Sequence, residues 1–262
     1  EIPLRLVGSE MCIRDRRSVF QPTKYTPAAR SDSKALPAKN GLSMATDRCV
    51  NNMTIAVFGG TFDPVHFGHI EIATQLAEHL RIDSLRLMPC GVPVHRQQPI
   101  ANANQRLEML GMAIADRPQL AIERREVQQS EPSFSIDSLR RIRAEIGPEQ
   151  TLFMCLGMDA LEQLQHWHQW RQLLDYCHIV TVARPGAQRP TKPPLKRWIE
   201  QHQSQQPAAD ESRPCGQLFF CSVNLLDISS TEIRQRLKQR RSIDRLTPDA
   251  VIDYIHRHHL YE

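Results

Sequence analysis

Two imidazoles stand three positions apart in GGTFDPVHFGH (residues 59–69), His66 and His69, just after a pair of glycines. Three positions is about one helical turn, so on a helix beginning there both rings lie at its N-terminus. Free amides and the helix dipole favour an anion at that place. Gly59 and Gly60 let the backbone approach a phosphate closely. No carboxylate completes a zinc set at nearby spacing, so the pair reads as phosphate ligands and no protein metal site is expected. An isolated His-x-x-His is equally well a capping or packing pair, and the glycine turn at a strand end is what shifts the balance. A second phosphate candidate is ISSTEIRQRL (228–237). There Ser229, Ser230 and Thr231 open a helix and Arg234 lies one turn in, offering hydroxyls, amides and a guanidinium together. Ser or Thr followed by Glu is also the pattern of an ordinary N-cap.

Regular elements are needed to hold these groups. TIAVF (54–58) is a short β-branched apolar run, and after the glycine turn HIEIATQLAEHL (69–80) has helical spacing. Strand–helix pairs follow at LRLMP (85–89) with 102–116, and at LAIE (120–123) with 135–147. TLFMCLG (151–157), HIVTVARP (178–185) and QLFFCSV are further strands, and helices near 230–240 and 248–258 close the chain. Apolar runs without polar alternation suit strands buried on both faces. The expected fold is therefore α/β: a doubly wound, Rossmann-like parallel sheet with C-terminal helices. Residues 186–217 break the rhythm with Pro190, Pro193, Pro194, Pro207 and Pro214, and read as a surface insertion around the short helix LKRWIEQHQ.

Charge and composition narrow the function classes. The 262 residues carry 33 Lys/Arg and 29 Asp/Glu. Residues 1–52 hold 9 and 5 of these, leaving 24 of each in 53–262, so the basic excess sits in a Pro/Ser/Lys-rich leader rather than on a face of the fold. A nucleic-acid partner is discounted on that ground. No apolar run approaches the ~20 residues needed to cross a bilayer, so no membrane partner is expected. Seven cysteines without a C-x-x-C pair point to a reducing, cytoplasmic setting rather than a disulfide framework. The leader 1–52 lacks either hydrophobic period and reads as disordered. Its opening EIPLRLVGSEMCIRDR resembles translated sequencing-adapter DNA, so residues 1–16 are expected to carry no function and the native chain to begin at Met44 or Met53.

GGTFDPVHFGH resembles the T/HxGH signature of the nucleotidyltransferase superfamily, and the full string is similar to bacterial nicotinate-nucleotide adenylyltransferases. The resemblance covers roughly 53–262 and continues, in the family's order, at PCGVPVHR (89–96), EPSFSIDSL (131–139), LGMDALEQLQHWHQW (156–170), ARPG (183–186) and ISSTEIRQRL. It implies AMP transfer from ATP, with Mg2+, to nicotinic acid mononucleotide, giving nicotinic acid adenine dinucleotide and pyrophosphate. His66, His69 and Arg234 would be catalytic. Gly59, Gly60, Thr61, Phe62, Gly157, Asp159, Ser229, Ser230 and Thr231 would bind ATP. His95, Arg96, Ser133, Phe134, Ser135, Trp167, His168 and Arg184 would bind the mononucleotide, with Trp167 stacking on the pyridine ring.

The chain departs from the family pattern at several places. Val94 replaces a proline, Cys90 and Gly91 replace asparagines, Phe134 replaces a tyrosine, and His168 stands where a tyrosine is common. Other acceptors, nicotinamide mononucleotide or phosphopantetheine, and a non-catalytic nucleotide-binding regulator, are the competing readings. Monomer and homo-oligomer both remain open.

Overall fold

The computed structural model describes residues 54–82, 84–91, 98–129, 134–183, 186–204 and 213–262. The expected leader lies outside these, as do His95, Arg96, Ser133 and Arg184. Six strands are present: β1 (Ile55–Gly60), β2 (Ser84–Pro89), β3 (Leu120–Ile122), β4 (Leu152–Gly157), β5 (His178–Ala183) and β6 (Leu218–Ser222). They form one all-parallel sheet in the order β3-β2-β1-β4-β5-β6. The helices are α1 (Phe67–Leu80), α2 (Ala103–Ala113), α3 (Ser135–Ile146), α4 (Met158–Gln163), α5 (Leu195–His202), α6 (Ser230–Lys238) and α7 (Asp249–Arg257).

Strand alternation divides the core in two. Ala56 and Phe58 on β1, Leu85 and Leu87 on β2, and Phe153 and Cys155 on β4 pack with Leu76 of α1, Leu110 of α2, Ile233 of α6 and Val251 of α7. Their neighbours Ile55, Val57, Leu152 and Met154 point the other way, onto Leu139 and Ile142 of α3 and Trp198 of α5. Each β1 residue from 55 to 58 is buried on one side or the other, which is why the strand reads as an unbroken apolar run.

Segment 186–217 contributes more than surface. Its helix α5 buries Leu195, Trp198 and Ile199 in the second core, and lies on the connection between the parallel neighbours β5 and β6. Parallel strands require such a crossover, so the expected insertion is also a structural link. Helix α4 and the 3-10 turns Leu164–His166 and Trp170–Asp175 fall where hydrophobic period gave no element. Each is six residues or fewer, too short for a helical repeat to register.

The strand order reverses between β1 and β4. In open α/β sheets, ligands bind outside the carboxyl ends of the strands at that reversal. Gly59, Gly60 and Gly157 end the two strands there.

Candidate active site

The crevice at the ends of β1 and β4 is walled by two helix N-termini. His66 is the N-cap of α1, extended at φ −149° and ψ 169°, with no side-chain cap. Ser229 caps α6, its Oγ accepting from the Glu232 amide at 3.1 Å. The two helix starts are tied together. Ser230 Oγ donates to the Pro64 carbonyl at 3.0 Å, and Arg234 Nη1 donates to the Asp63 carbonyl at 2.6 Å. The two helix dipoles put positive potential on one place, although the Phe67 amide is taken by the Leu246 carbonyl and the Glu232 amide by Ser229 Oγ.

Between them the histidine rings stack, centroids 3.7 Å apart and planes 25° from parallel. His66 is 2% exposed, and the Nδ1 atoms of both rings are buried without a hydrogen-bond partner. Burial, with the neighbouring ring adding to it for His66, drives the His66 pKa well below the ordinary 6.5, and burial lowers His69 to about 3. Both rings are therefore neutral at pH 7. Unpaired polar atoms in a buried place cost free energy that a ligand can recover.

Local sequence makes this arrangement possible. A Cβ on Gly68 would lie 2.9 Å from His66 Nδ1 and 3.0 Å from its Cε1, so the ring folds over a position that only glycine leaves open. A Cβ on Gly60 would lie 2.8 Å from Phe62 Cζ, whereas at Gly59 it would meet nothing within 4 Å and point into open space. Phe62 adopts φ +51°, a left-handed conformation costing a side-chain-bearing residue of order 1 kcal/mol. Its ring, 1% exposed, stands edge-on to His69 at 4.9 Å and to Phe58 at 6.2 Å. Burying such a ring is worth about 3–5 kcal/mol, which outweighs the backbone cost.

The other side of the crevice carries rings. Phe134 is the N-cap of α3 and has no side-chain cap bond, and its ring lies 4.6 Å from His168 at a 37° tilt. His168 is exposed, while Trp167 is partly buried against the second core.

Comparison with known proteins agrees with this architecture. Residues 57–236 match the family described as Cytidylyltransferase-like. A Cellvibrio japonicus protein named "Probable nicotinate-nucleotide adenylyltransferase" is 43% identical over 208 residues, 79% of this chain and 98% of the relative. A Yersinia pestis protein of the same name is 44% identical over 207 residues, 79% of this chain and 94% of the relative. The chain belongs to the nicotinate-nucleotide adenylyltransferase family. The fold is also that of Plasmodium falciparum nicotinic acid mononucleotide adenylyltransferase complexed with NaAD. That structure has a TM-score of 0.62 at 18% identity, covering 80% of this chain and 97% of that one.

Set against this family, the expected residues fall into three groups. Gly59, Gly60, His66, His69, Gly157, Thr231 and Arg234 stand at the crevice elements, and Asp159, exposed, lies in the first turn of α4. Phe134, Ser135, Trp167 and His168 stand around the start of α3 and the turn after α4, with Phe134 and His168 in ring contact. For two of the expected nucleotide contacts the side chain has another neighbour. The Phe62 side chain is buried beneath Gly60 and buttresses His69, and the Ser230 hydroxyl, in a residue 5% exposed, is taken up by the Pro64 carbonyl. Ser229 serves as a helix cap, and Thr61 offers its carbonyl to Arg106 at 3.0 Å.

Four further buried residues at the loop 61–67 carried no functional expectation. Arg106 of α2 is 2% exposed, and its signal was legible: it shares the stripe of Met109, Leu110 and Ala113, where a charge is out of place. Asp63, Thr247 and Tyr261 are also buried there. Among the described residues, no group of three or more His, Cys, Asp or Glu is arranged to hold a metal ion. The one acidic side chain of the loop, Asp63, already accepts three hydrogen bonds. The described residues therefore do not fit a resident metal.

Proposed function

We propose that this chain transfers AMP from ATP to nicotinic acid mononucleotide, releasing pyrophosphate and forming nicotinic acid adenine dinucleotide. The observation that carries the reading is the stacked pair of neutral, unpartnered imidazoles between two converging helix N-termini. The mononucleotide phosphate, anionic at neutral pH, attacks the α-phosphorus of ATP. That new P–O bond forms as the bond to the β-phosphate breaks, so no enzyme nucleophile is required. Catalysis is then positioning plus stabilisation of charge on the phosphoryl oxygens.

In this mechanism His66 and His69 donate to the triphosphate, and Arg234, fixed by the Asp63 carbonyl and by Thr231 Oγ1 at 3.3 Å, supplies a fork of donors. Bound phosphate favours the protonated imidazole and so opposes the desolvation that keeps the rings neutral beforehand. Magnesium would enter with the nucleotide and would supply positive charge against the phosphates. Gly59 leaves open space beside the phosphates, and Gly157 and Asp159 at the end of β4 face the adenosine hydroxyls.

The acceptor reading rests on α3. The amides of Ser135 and Ile136 in its first turn, uncapped by the Phe134 side chain, would receive the nicotinate carboxylate. Phe134, His168 and the open part of Trp167 provide faces for the pyridine ring. A neutral carboxamide forgoes the charge component of that contact. His95, Arg96, Ser133 and Arg184 belong to this reading as mononucleotide contacts. The free thiols Cys90, Cys155, Cys177, Cys215 and Cys221 support a reducing, cytoplasmic location.

The test is pyrophosphate release with ATP and magnesium, offering nicotinic acid mononucleotide, nicotinamide mononucleotide and phosphopantetheine separately. Preference for the first by an order of magnitude or more is expected. Preference for either other acceptor would overturn the α3 assignment, and ATP binding without turnover on any would overturn the enzymatic reading.

A further inference from the structure

Asp63 belongs to the loop that joins β1 to α1, and two neighbours' contacts and one of its own bear on the site. The Thr61 carbonyl accepts from Arg106, the Phe62 ring abuts His69, and the Asp63 carbonyl accepts from Arg234. A movement of residue 63 therefore moves a histidine buttress and the arginine together. What fixes residue 63 is its own carboxylate, 4% exposed. Oδ2 accepts from the Ile100 amide at 2.9 Å, and Oδ1 accepts from the Ala101 amide at 3.0 Å and from the Tyr261 hydroxyl at 2.7 Å. A buried carboxylate is tolerated only when its lone pairs are met in this way.

The Tyr261 donor comes from 198 positions away. Tyr261 is 3% exposed and adopts φ +67°, an uncommon conformation for an aromatic residue. The segment that carries it holds the same loop twice more. Thr247 Oγ1 donates to the Val65 carbonyl at 2.8 Å, and the Phe67 amide donates to the Leu246 carbonyl at 3.0 Å. Residues 63, 65 and 67 are thus each held from beyond α6, but Tyr261 alone of the three ends on a charged group. Burial and the Asp63 carboxylate raise the phenol pKa, so the hydroxyl stays protonated and donates.

We propose that Tyr261 is a positioning residue of the adenylyl-transfer site, which through its hydrogen bond to Asp63 fixes the loop that sets both His69 and Arg234. The proposal rests on the functional reading above. It differs from a packing role in a way that can be measured, because Tyr261→Phe keeps the ring and removes only the donor.

The experiment is a double-mutant cycle of Tyr261→Phe and Asp63→Ala, read by kcat, by KM for each substrate, and by the His69 ring resonances in the absence of nucleotide. Tyr261→Phe is expected to lower kcat by roughly tenfold to a hundredfold, the scale of a small misplacement of reacting groups, with each KM changed far less. It should also shift the His69 ring signals of a chain that remains folded by circular dichroism. The double variant should be no slower than Asp63→Ala alone, since that change already removes the acceptor of the Tyr261 hydroxyl. A wild-type kcat and unshifted His69 signals in Tyr261→Phe, or losses that add in the cycle, would overturn the proposal. Should Asp63→Ala fail to fold, Tyr261→Phe decides alone through kcat and the His69 signals. A wild-type chain that releases no pyrophosphate would instead refute the functional reading, while the His69 shift would still report the coupling.

Discussion

At the phosphate end of the crevice, His66 is 2% exposed, Gly68 leaves room for its ring, and the loop beneath is held by Arg106, Thr247 and Tyr261. At the proposed acceptor end, Phe134 and the exposed His168 touch ring to ring at 4.6 Å beside a helix with no side-chain cap. The first end is specified by backbone and by burial, and few residue types satisfy it. The second is specified by surfaces that offer shape and an amide row. This difference corresponds to a division of labour: stabilising charge during phosphoryl transfer requires fixed donors, whereas recognising a flat ring requires only a face and a charge partner.

The division predicts that changes at the two ends separate in kinetics. The largest effect is expected for His69→Ala, which should lower kcat about 10²–10³-fold, the scale for removing one preorganised donor to a developing oxyanion, while the chain stays folded. Near-wild-type turnover would remove His69 from the chemistry. A smaller effect is expected for Phe134→Ala. Loss of one aromatic face should raise KM for nicotinic acid mononucleotide by about tenfold, the scale of an aromatic contact, with ATP affinity and saturated turnover little changed. A drop in kcat without a change in that KM would show that the acceptor end also positions the reacting phosphate, and would break the comparison.

The same contrast explains what the sequence made legible. The six strands and most helices stood out because buried parallel strands leave unbroken apolar runs, as at 55–58 and 152–156, and because the helices between them keep a helical apolar spacing. The closeness of Gly59, Gly60, His66 and His69 was legible because they are neighbours in the chain. The packing of Phe62 and the hydrogen bond of Ser230 were not, because they depend on which way each side chain turns, and spacing does not determine that. Asp63 and Tyr261 were silent because their contact spans 198 positions. Helix α5 was understated because its prolines masked a short stripe of Leu195, Trp198 and Ile199.

The central claim is that His66 and His69 wait neutral and unpartnered for a triphosphate. Because their folded pKa values lie below the ordinary 6.5, the unfolded chain binds the extra protons. Their burial therefore costs stability progressively as pH falls below about 6.5 and adds no pH dependence above it. The most direct measurement is imidazole-nitrogen NMR of the two rings across pH, with and without ATP and magnesium. Without nucleotide, both should still be neutral at pH 6.5, where an ordinary imidazole is half protonated, and nucleotide should shift both rings and raise their protonation midpoints. Titration near 6.5 in the free chain, or rings indifferent to ATP, would contradict the account.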